Sequence, residues 1–242
     1  MGNADSGIVT KRSNRAVRPA ASGANPRRTL LYLEFAVCYF VVPALPLFGV
    51  PPRMFVPLFL VCICWLTIVA LRDRRMRRRA NRAIPAGERE VRVRPKTKLQ
   101  REGLTLLAFI VVSTLIVWRV SPELLFRAPR EQPLRWLQFW FIYGAFSVPP
   151  QEALFRVVFF DRYPRLWGDR RWIGLSLNAA SFSIAHAILH HWLVYLLTFL
   201  GGYVFAVHWL RSRNFATLWL LHAAYGLWLF TVGLGTVFGF PF

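Results

Sequence analysis

The residues of this chain that can carry chemistry lie inside apolar sequence. Glu152 and Arg156 come soon after the apolar run WLQFWFIYGAFSV and just before VVFF, and a spacing of four residues lets them pair on one helix face. His186 and His222 stand in two later apolar stretches. A carboxylate and imidazoles that converge in a dry site can activate a water molecule and stabilise an oxyanion.

Other interpretations of these residues stay open at this point. Glu152 and Arg156 also fit a buried ion pair that only holds two helices together. His186 alone also fits a hydrogen-bonded core histidine. A metal site is a further alternative, because His186 and His190 lie four residues apart and can share a helix face. Its ligands, for zinc as an example, would be Glu152, His186, His190 and His222. We expect no metal or other cofactor, because His190 lies one turn further toward the end of its segment.

The elements that position these residues are long apolar segments. The chain has 242 residues, of which 55% are hydrophobic and 16% aromatic. A helix needs about 20 mainly apolar residues to cross a bilayer, and lipid offers no partner for open strand edges. The sequence therefore predicts an all-α, polytopic transmembrane bundle of about seven helices. The predicted segments are Leu30–Val50, Phe55–Leu71, Gly103–Val120, Trp136–Phe160, Trp172–Leu189, Trp192–Leu210 and Phe215–Thr236.

Basic residues are distributed unevenly over the connections between these segments. The formal net charge of +20 would suggest a nucleic-acid partner in a soluble protein. Here 25 of the 31 Lys and Arg fall on one side of the predicted bundle and five on the other, with Arg156 inside. By the positive-inside rule the N-terminus is cytoplasmic. We expect no nucleic acid, and we expect the basic cytoplasmic loop 72–101 to contact anionic lipid headgroups.

One membrane domain accounts for most of the chain. Residues 1–28 are rich in Ser, Gly, Asn, Pro and Arg, and are expected to form a disordered basic tail because they cannot bury enough apolar surface. Residues 29–242 then form the transmembrane domain. In its fourth segment two consecutive prolines, Pro149 and Pro150, stand just before Gln151 and Glu152 and remove backbone hydrogen bonds. Freed backbone groups in a membrane must face protein or water, so we expect a kink or short break and an internal cavity beside Glu152.

Three motifs, in order, resemble those of the CAAX protease and bacteriocin-processing (CPBP, or Abi) intramembrane endopeptidases. They read QEALFR at 151–156, FSIAH at 182–186 and HAAYG at 222–226. The resemblance covers about residues 136–236, the expected catalytic core. It implies an all-helical peptidase in which a glutamate activates water and histidines stabilise the tetrahedral intermediate. By position it implies catalytic roles for Glu152, Arg156, His186 and His222, and substrate- or water-orienting roles for Gln151, Phe182 and Tyr225.

Two positions depart from the usual motifs of that family. Gln151 stands where the family has the first glutamate of a Glu-Glu pair, and a neutral amide cannot take a proton from water. Gly226 stands where the third motif has Asn or Asp. Gln-Glu, His-x-x-Tyr-Gly and the stretch FTVGLG at 230–235 together resemble a divergent branch of the family. In that branch Glu152 would itself be the base, and Tyr225 would replace the missing amide.

The motifs thus predict an enzyme, a glutamic-type intramembrane endopeptidase that cleaves membrane-associated or lipid-anchored proteins or peptides. C-terminal sorting tails and prenyl-type tails are the expected substrates. The chain has 28 Arg and three Lys, which is typical of bacteria with GC-rich genomes, so we expect a multi-pass protein of a bacterial inner (cytoplasmic) membrane. Two alternatives stay open. Gln151 and Gly226 favour an inactive relative that binds substrates or confers immunity. A small transporter with Glu152 in a proton relay is disfavoured, because the chain shows no internal repeat.

Overall fold

The structure is a computed structural model that describes residues 26–83, 99–236 and 238. All regular elements within these ranges are helical. Most of the predicted basic tail (residues 1–25) and half of the predicted basic loop (residues 84–98) lie outside the described residues. The all-α fold class predicted from the sequence is confirmed.

The described part of the chain forms seven long helical runs, labelled here in chain order. Three of them change helix type along their length: α1 widens into a π turn and ends in a 3-10 turn, α7 ends in a π turn, and α4 changes type repeatedly. The runs are α1 (Pro26–Ala36, continued through Val37–Val41 and Val42–Ala44 to Leu45–Phe48), α2 (Pro52–Ala83), α3 (Leu99–Val120), α4 (from Pro133–Ile142 to Phe159–Arg162), α5 (Arg171–Ile184), α6 (Trp192–Ser212) and α7 (Phe215–Leu229, continued by Phe230–Leu234).

Within the described ranges, six stretches are long and apolar enough to cross a membrane, so the chain is a multi-pass membrane protein. They are Thr29–Phe48, Pro52–Asp73, Gln100–Val120, Arg171–Leu189, Trp192–Ser212 and Phe215–Leu234. The remaining predicted segment, Trp136–Phe160, lies in α4. It is helical but not among the six, because its prolines and the polar residues around Gln151 and Glu152 lower its hydropathy. The second half of α4 is instead covered by protein, since Glu152 and residues 154–160 are all buried.

α4 accommodates its two prolines by widening its helix. Proline lacks the N–H that an α-helix needs in its interior, and π turns are one way to absorb that loss. The run stays helical throughout, so the predicted kink or short break takes the form of π turns on both sides of Glu152. The order is α-helix to Ile142, π turn Tyr143–Ser147, α-helical Val148–Glu152, π-helical Ala153–Val158 and a last turn Phe159–Arg162.

A polar cluster anchors the end of α4 to α1 and α2. The Arg162 guanidinium donates to both oxygens of Glu34, over 2.6 and 2.9 Å, and to Asp73 over 2.5 Å. The Tyr163 hydroxyl and the Trp65 indole also donate to Glu34. Charge-assisted, two-pronged contacts of this kind fix orientation as well as adding energy. Glu34 is therefore a structural residue that fixes the position of α4.

The other half of α4 is held against α7. The indoles of Trp136 and Trp140 both donate to the Thr231 hydroxyl, over 3.0 and 3.2 Å. The Trp219 indole donates to the carbonyl oxygen of Gly144, inside the first π turn, over 2.6 Å. These contacts fix the register between α4, which carries Glu152, and α7, which carries His222.

Candidate active site

Glu152 of α4 and His222 of α7 meet in the interior of the bundle. The imidazole Nδ1 of His222 lies 2.6 Å from Glu152 Oε1. Glu152 is completely buried and His222 is 5% exposed. A carboxylate can only accept, so Nδ1 carries a hydrogen and donates it, and in the neutral imidazole Nε2 is then an acceptor. The pair is therefore an imidazole whose tautomer and orientation are set by a carboxylate.

Arg156 supplies the positive charge next to this carboxylate. Its Nε lies 3.4 Å from Glu152 Oε2, and both side chains are fully buried. Its guanidinium carbon stands 4.4 Å from the centre of the Phe182 ring. None of its three nitrogens has a hydrogen-bond partner among the described residues. An isolated buried charge is costly, so Arg156 and Glu152 depend on each other.

His186 lies where α5 ends and the chain continues into the 3-10 turn Ala187–Leu189. Its Nδ1 is 2.7 Å from the carbonyl oxygen of Phe182, which can only accept, so Nδ1 donates and Nε2 is left as an acceptor. The Phe182 ring contacts both histidines, with ring centres 4.8 Å from His186 and 5.6 Å from His222. Phe182 thus packs edge-on against both imidazoles.

A cavity of about 530 Å³ opens beside this cluster. Gln151, His186 and His222 line it, together with mainly apolar side chains of α4, α5, α6 and α7. Glu152 does not line it, although the prolines and the carboxylate predicted a cavity at this place. The carboxylate therefore reaches the cavity through the imidazole of His222.

Gln151 and Tyr225 also line the cavity, but neither contacts His222 through a hydrogen bond. The Gln151 amide donates to the Ser147 hydroxyl over 3.0 Å, and its oxygen Oε1 is buried with no hydrogen-bond partner among the described residues. The Tyr225 hydroxyl donates to Thr105 of α3 over 3.2 Å. An amide oxygen with a spare lone pair at a cavity wall can hold a water molecule.

The hydroxyl that does reach His222 belongs to Tyr143, which the sequence reasoning missed. Its oxygen lies 3.3 Å from His222 Nε2. A side chain at Gly226 would collide with it, because a Cβ atom there would stand 2.1 Å from the Tyr143 oxygen. The only signal in the sequence was indirect: a glycine at a motif position that usually carries an amide or carboxylate indicates that another group fills its space.

His190 is separate from this cluster. It lies in a left-handed conformation (φ 47°) directly after the 3-10 turn, and it is not a lining residue of the cavity. No group of three or more His, Cys, Asp or Glu side chains able to hold a metal ion occurs in the described ranges. The structure thus does not assemble the alternative ligand set of Glu152, His186, His190 and His222. The absence of a cofactor stays a prediction.

Comparison with known proteins gives one match. Residues 133–228 match the family model "Rce1-like", described as type II CAAX prenyl endopeptidase Rce1-like. This segment is Rce1-like. The match confirms the family predicted from the three motifs, and with it the predicted enzyme class, a membrane protease. The Rce1-like segment begins with α4 and ends in α7, so it contains all the predicted catalytic residues. No curated protein and no solved structure matches the chain.

Proposed function

We propose that the chain is an intramembrane endopeptidase that hydrolyses a peptide bond in a membrane-associated or lipidated protein. The observation that carries this proposal is the buried Glu152–His222 pair, 2.6 Å apart, at the wall of a largely apolar cavity. A protease needs a base for water and a place for its substrate, and these two features supply both.

The proposed mechanism keeps Glu152 as its central carboxylate and routes its effect through His222. Water in the cavity gives a proton to His222 Nε2 as its oxygen attacks the substrate carbonyl. Glu152 stabilises the imidazolium that forms, and Arg156 balances the charge of Glu152. In other hydrolases, too, a carboxylate holds a catalytic imidazole in one tautomer and stabilises the imidazolium that forms. The earlier expectation that Glu152 contacts water directly would require this pair to separate.

Gln151 and His186 are proposed to orient the reactants. The unpaired amide oxygen of Gln151 accepts a hydrogen bond from the attacking water and turns its lone pair toward the substrate. His186 offers a second acceptor nitrogen at the same cavity wall. Its Nε2 would need a proton before it could stabilise an oxyanion, as expected from the motif resemblance.

The proposed substrates carry an apolar anchor. Leu197, Leu200 and Val204 of α6 line the cavity, so an acyl or prenyl chain or an apolar helix can be accommodated there. A prenyl-type tail and a C-terminal sorting tail both fit this description, and a bacterial inner membrane is the proposed location. Contact of the basic loop with anionic lipid headgroups stays a prediction, as does the absence of a nucleic-acid partner.

The experiment compares protein termini in membranes by mass spectrometry. Four strains of the native host are compared: one with the wild-type chain, one with the gene deleted, and one each with His222→Gln and Gln151→Glu. The wild-type chain and the two variants are expressed at matched levels. Termini that depend on the wild-type chain and vanish both in the deletion and with His222→Gln support the proposal and identify the substrates. Gln151→Glu places a carboxylate at the cavity wall. If the strain with this variant keeps the same termini as the wild type, the amide is tolerated rather than required.

Identical termini in the wild type and the deletion contradict the proposal. If the deletion nevertheless has a phenotype that His222→Gln does not share, the alternative of a binding or immunity protein is favoured. Folding of each variant is checked by gel filtration in detergent, so that loss of termini is not confused with loss of the protein.

A further inference from the structure

Tyr143 stands at the reactive end of the cavity, where no motif placed a residue. Its hydroxyl lies 3.3 Å from His222 Nε2, and the side chain lines the cavity. The ring is stacked on Phe139, with centres 5.5 Å apart and planes 18° apart, and it meets Phe230 edge-on at 5.6 Å. Packing on two faces leaves the ring little freedom, so the hydroxyl is held in one place.

Gly226 makes room for this hydroxyl. A Cβ atom at Gly226 would stand 2.1 Å from the Tyr143 oxygen and 2.6 Å from its Cζ. The phenol therefore occupies the space in which a longer side chain at position 226 would project. Gly226 and His222 are four residues apart on one face of α7, so whatever fills that space faces the reactive nitrogen.

We infer that Tyr143 is the hydrogen-bond donor for the oxyanion in the proposed hydrolysis. This inference deepens the proposed function and rests on it. In the structure the phenol donates to His222 Nε2, because that nitrogen is left as an acceptor by the Glu152 contact. When water and substrate enter, water takes this place at Nε2 and the phenol O–H turns to the substrate carbonyl.

The proposed hydrolysis has two chemical steps. A water O–H bond breaks, its proton goes to His222 Nε2, and the oxygen forms a bond to the substrate carbonyl carbon. The carbonyl π pair moves to oxygen, and the resulting oxyanion accepts the hydrogen bond of Tyr143. The oxyanion then re-forms the double bond, the C–N bond breaks, and the imidazolium gives its proton to the leaving nitrogen. One water molecule and one peptide bond give a carboxyl group and an amine.

Three other donors at the cavity wall are already engaged. The Tyr225 hydroxyl donates to Thr105, the Gln151 amide donates to Ser147, and the Thr198 hydroxyl donates to the carbonyl oxygen of Val194. Tyr143 differs because its hydroxyl contacts His222 Nε2, and in the proposed mechanism this nitrogen binds the attacking water instead. Tyr203 of α6 provides the control, because it is a tyrosine that is 38% exposed and does not line the cavity.

The test measures hydrolysis by the purified full chain in detergent micelles. The probe is a fluorescence-quenched peptide that carries a farnesylated cysteine, and the same variants are scored in cells by membrane-protein termini. Tyr143→Phe keeps the ring and removes the donor, so kcat is expected to fall about 10²–10³-fold with KM unchanged, as for other oxyanion donors. Tyr203→Phe is expected to stay near the wild-type kcat.

A rescue variant separates chemistry from packing. Tyr143→Ala is expected to be inactive, and Tyr143→Ala combined with Gly226→Asn regains activity, because the amide then projects into the vacated space. Tyr143→Phe with wild-type kcat, while His222→Gln is inactive, overturns the role of Tyr143 and leaves the proposed function standing. A wild type that neither cleaves the probe nor alters any terminus in cells overturns the proposed function, and the inference with it.

Discussion

Replacing Gly226 with alanine tests the contact on which the geometry around His222 depends. The added Cβ would stand 2.1, 2.6 and 2.7 Å from the Oη, Cζ and Cε1 atoms of Tyr143. Favourable separations between such atoms are about 3.5–4.0 Å, so the ring must move by more than ~1 Å. Because the ring is rigid and packed against Phe139 and Phe230, it has little freedom to turn away.

Three contributions determine how much Gly226→Ala changes the free energy of unfolding. Overpacking a filled interior costs about 1–3 kcal/mol. Loss of the Tyr143–His222 hydrogen bond adds about 0.5–1.5 kcal/mol. Alanine favours the helix by about 1 kcal/mol over glycine and offsets part of this. We therefore expect Gly226→Ala to lower the free energy of unfolding by about 0.5–3.5 kcal/mol.

The assay is equilibrium unfolding in mixed micelles, titrated with a denaturing detergent. Gly201→Ala is the matched control, because Gly201 is another glycine of the cavity wall. A Cβ atom added there would stand 3.5 Å from Cε2 of Phe205, which is an ordinary contact distance. Tyr143→Ala should cancel most of the cost of Gly226→Ala, giving a coupling between neighbours. If Gly226→Ala is as stable as Gly201→Ala, Tyr143 does not occupy this space and the inference drawn from it is wrong.

Three further predictions concern contacts that support the site. Arg156→Met is expected to lower the free energy of unfolding by about 3–5 kcal/mol, because it leaves Glu152 buried without its counter-charge. Combining it with Glu152→Gln should restore stability but not activity. Unfolding titration measures the stability of both variants, and probe cleavage measures their activity. Arg162→Ala removes the two-pronged contact with Glu34 and is expected to cost about 1.5–3 kcal/mol in the same titration. Trp219→Phe removes the indole donor to the π turn of α4 and is expected to lower the free energy of unfolding by about 0.5–1.5 kcal/mol. It should also lower kcat, because Tyr143 is then misplaced. An unchanged kcat would show that this contact does not affect catalysis.

The residue types of the site were predictable because their environment is restrictive. A carboxylate inside an apolar segment must find a partner, so Glu152, Arg156 and His222 could be expected to lie close together before any helix was positioned. The same reasoning predicted a cavity beside Glu152, whereas the cavity in the structure is lined by the neighbouring Gln151 and not by Glu152. It could not predict that His222 would stand between Glu152 and that cavity. That order depends on how α4 and α7 are rotated about their axes, which the indoles of Trp136 and Trp219 help to fix.

Tyr143 was not predictable from its own sequence context. It lies in WLQFWFIYGAF, where aromatic residues are so frequent that no single one is marked. Its role arises from a π turn that shifts its direction and from a glycine 83 positions later that leaves space for its ring. Likewise, spacing alone grouped His190 with His186, but the helix ends at Ile184, before both of them, and His190 adopts a left-handed conformation. Helical spacing rules apply only while the helix continues.

The most direct measurement of the central claim is hydrolysis in ¹⁸O-labelled water. The purified full chain is incubated with the farnesylated peptide, and the products are weighed by mass spectrometry. We expect one ¹⁸O atom in the new carboxyl terminus with the wild-type chain, and no product with Glu152→Gln or His222→Gln, each verified as folded by gel filtration. No cleavage by the wild type, or equal cleavage by the folded variants, would contradict a Glu152–His222 pair that activates water.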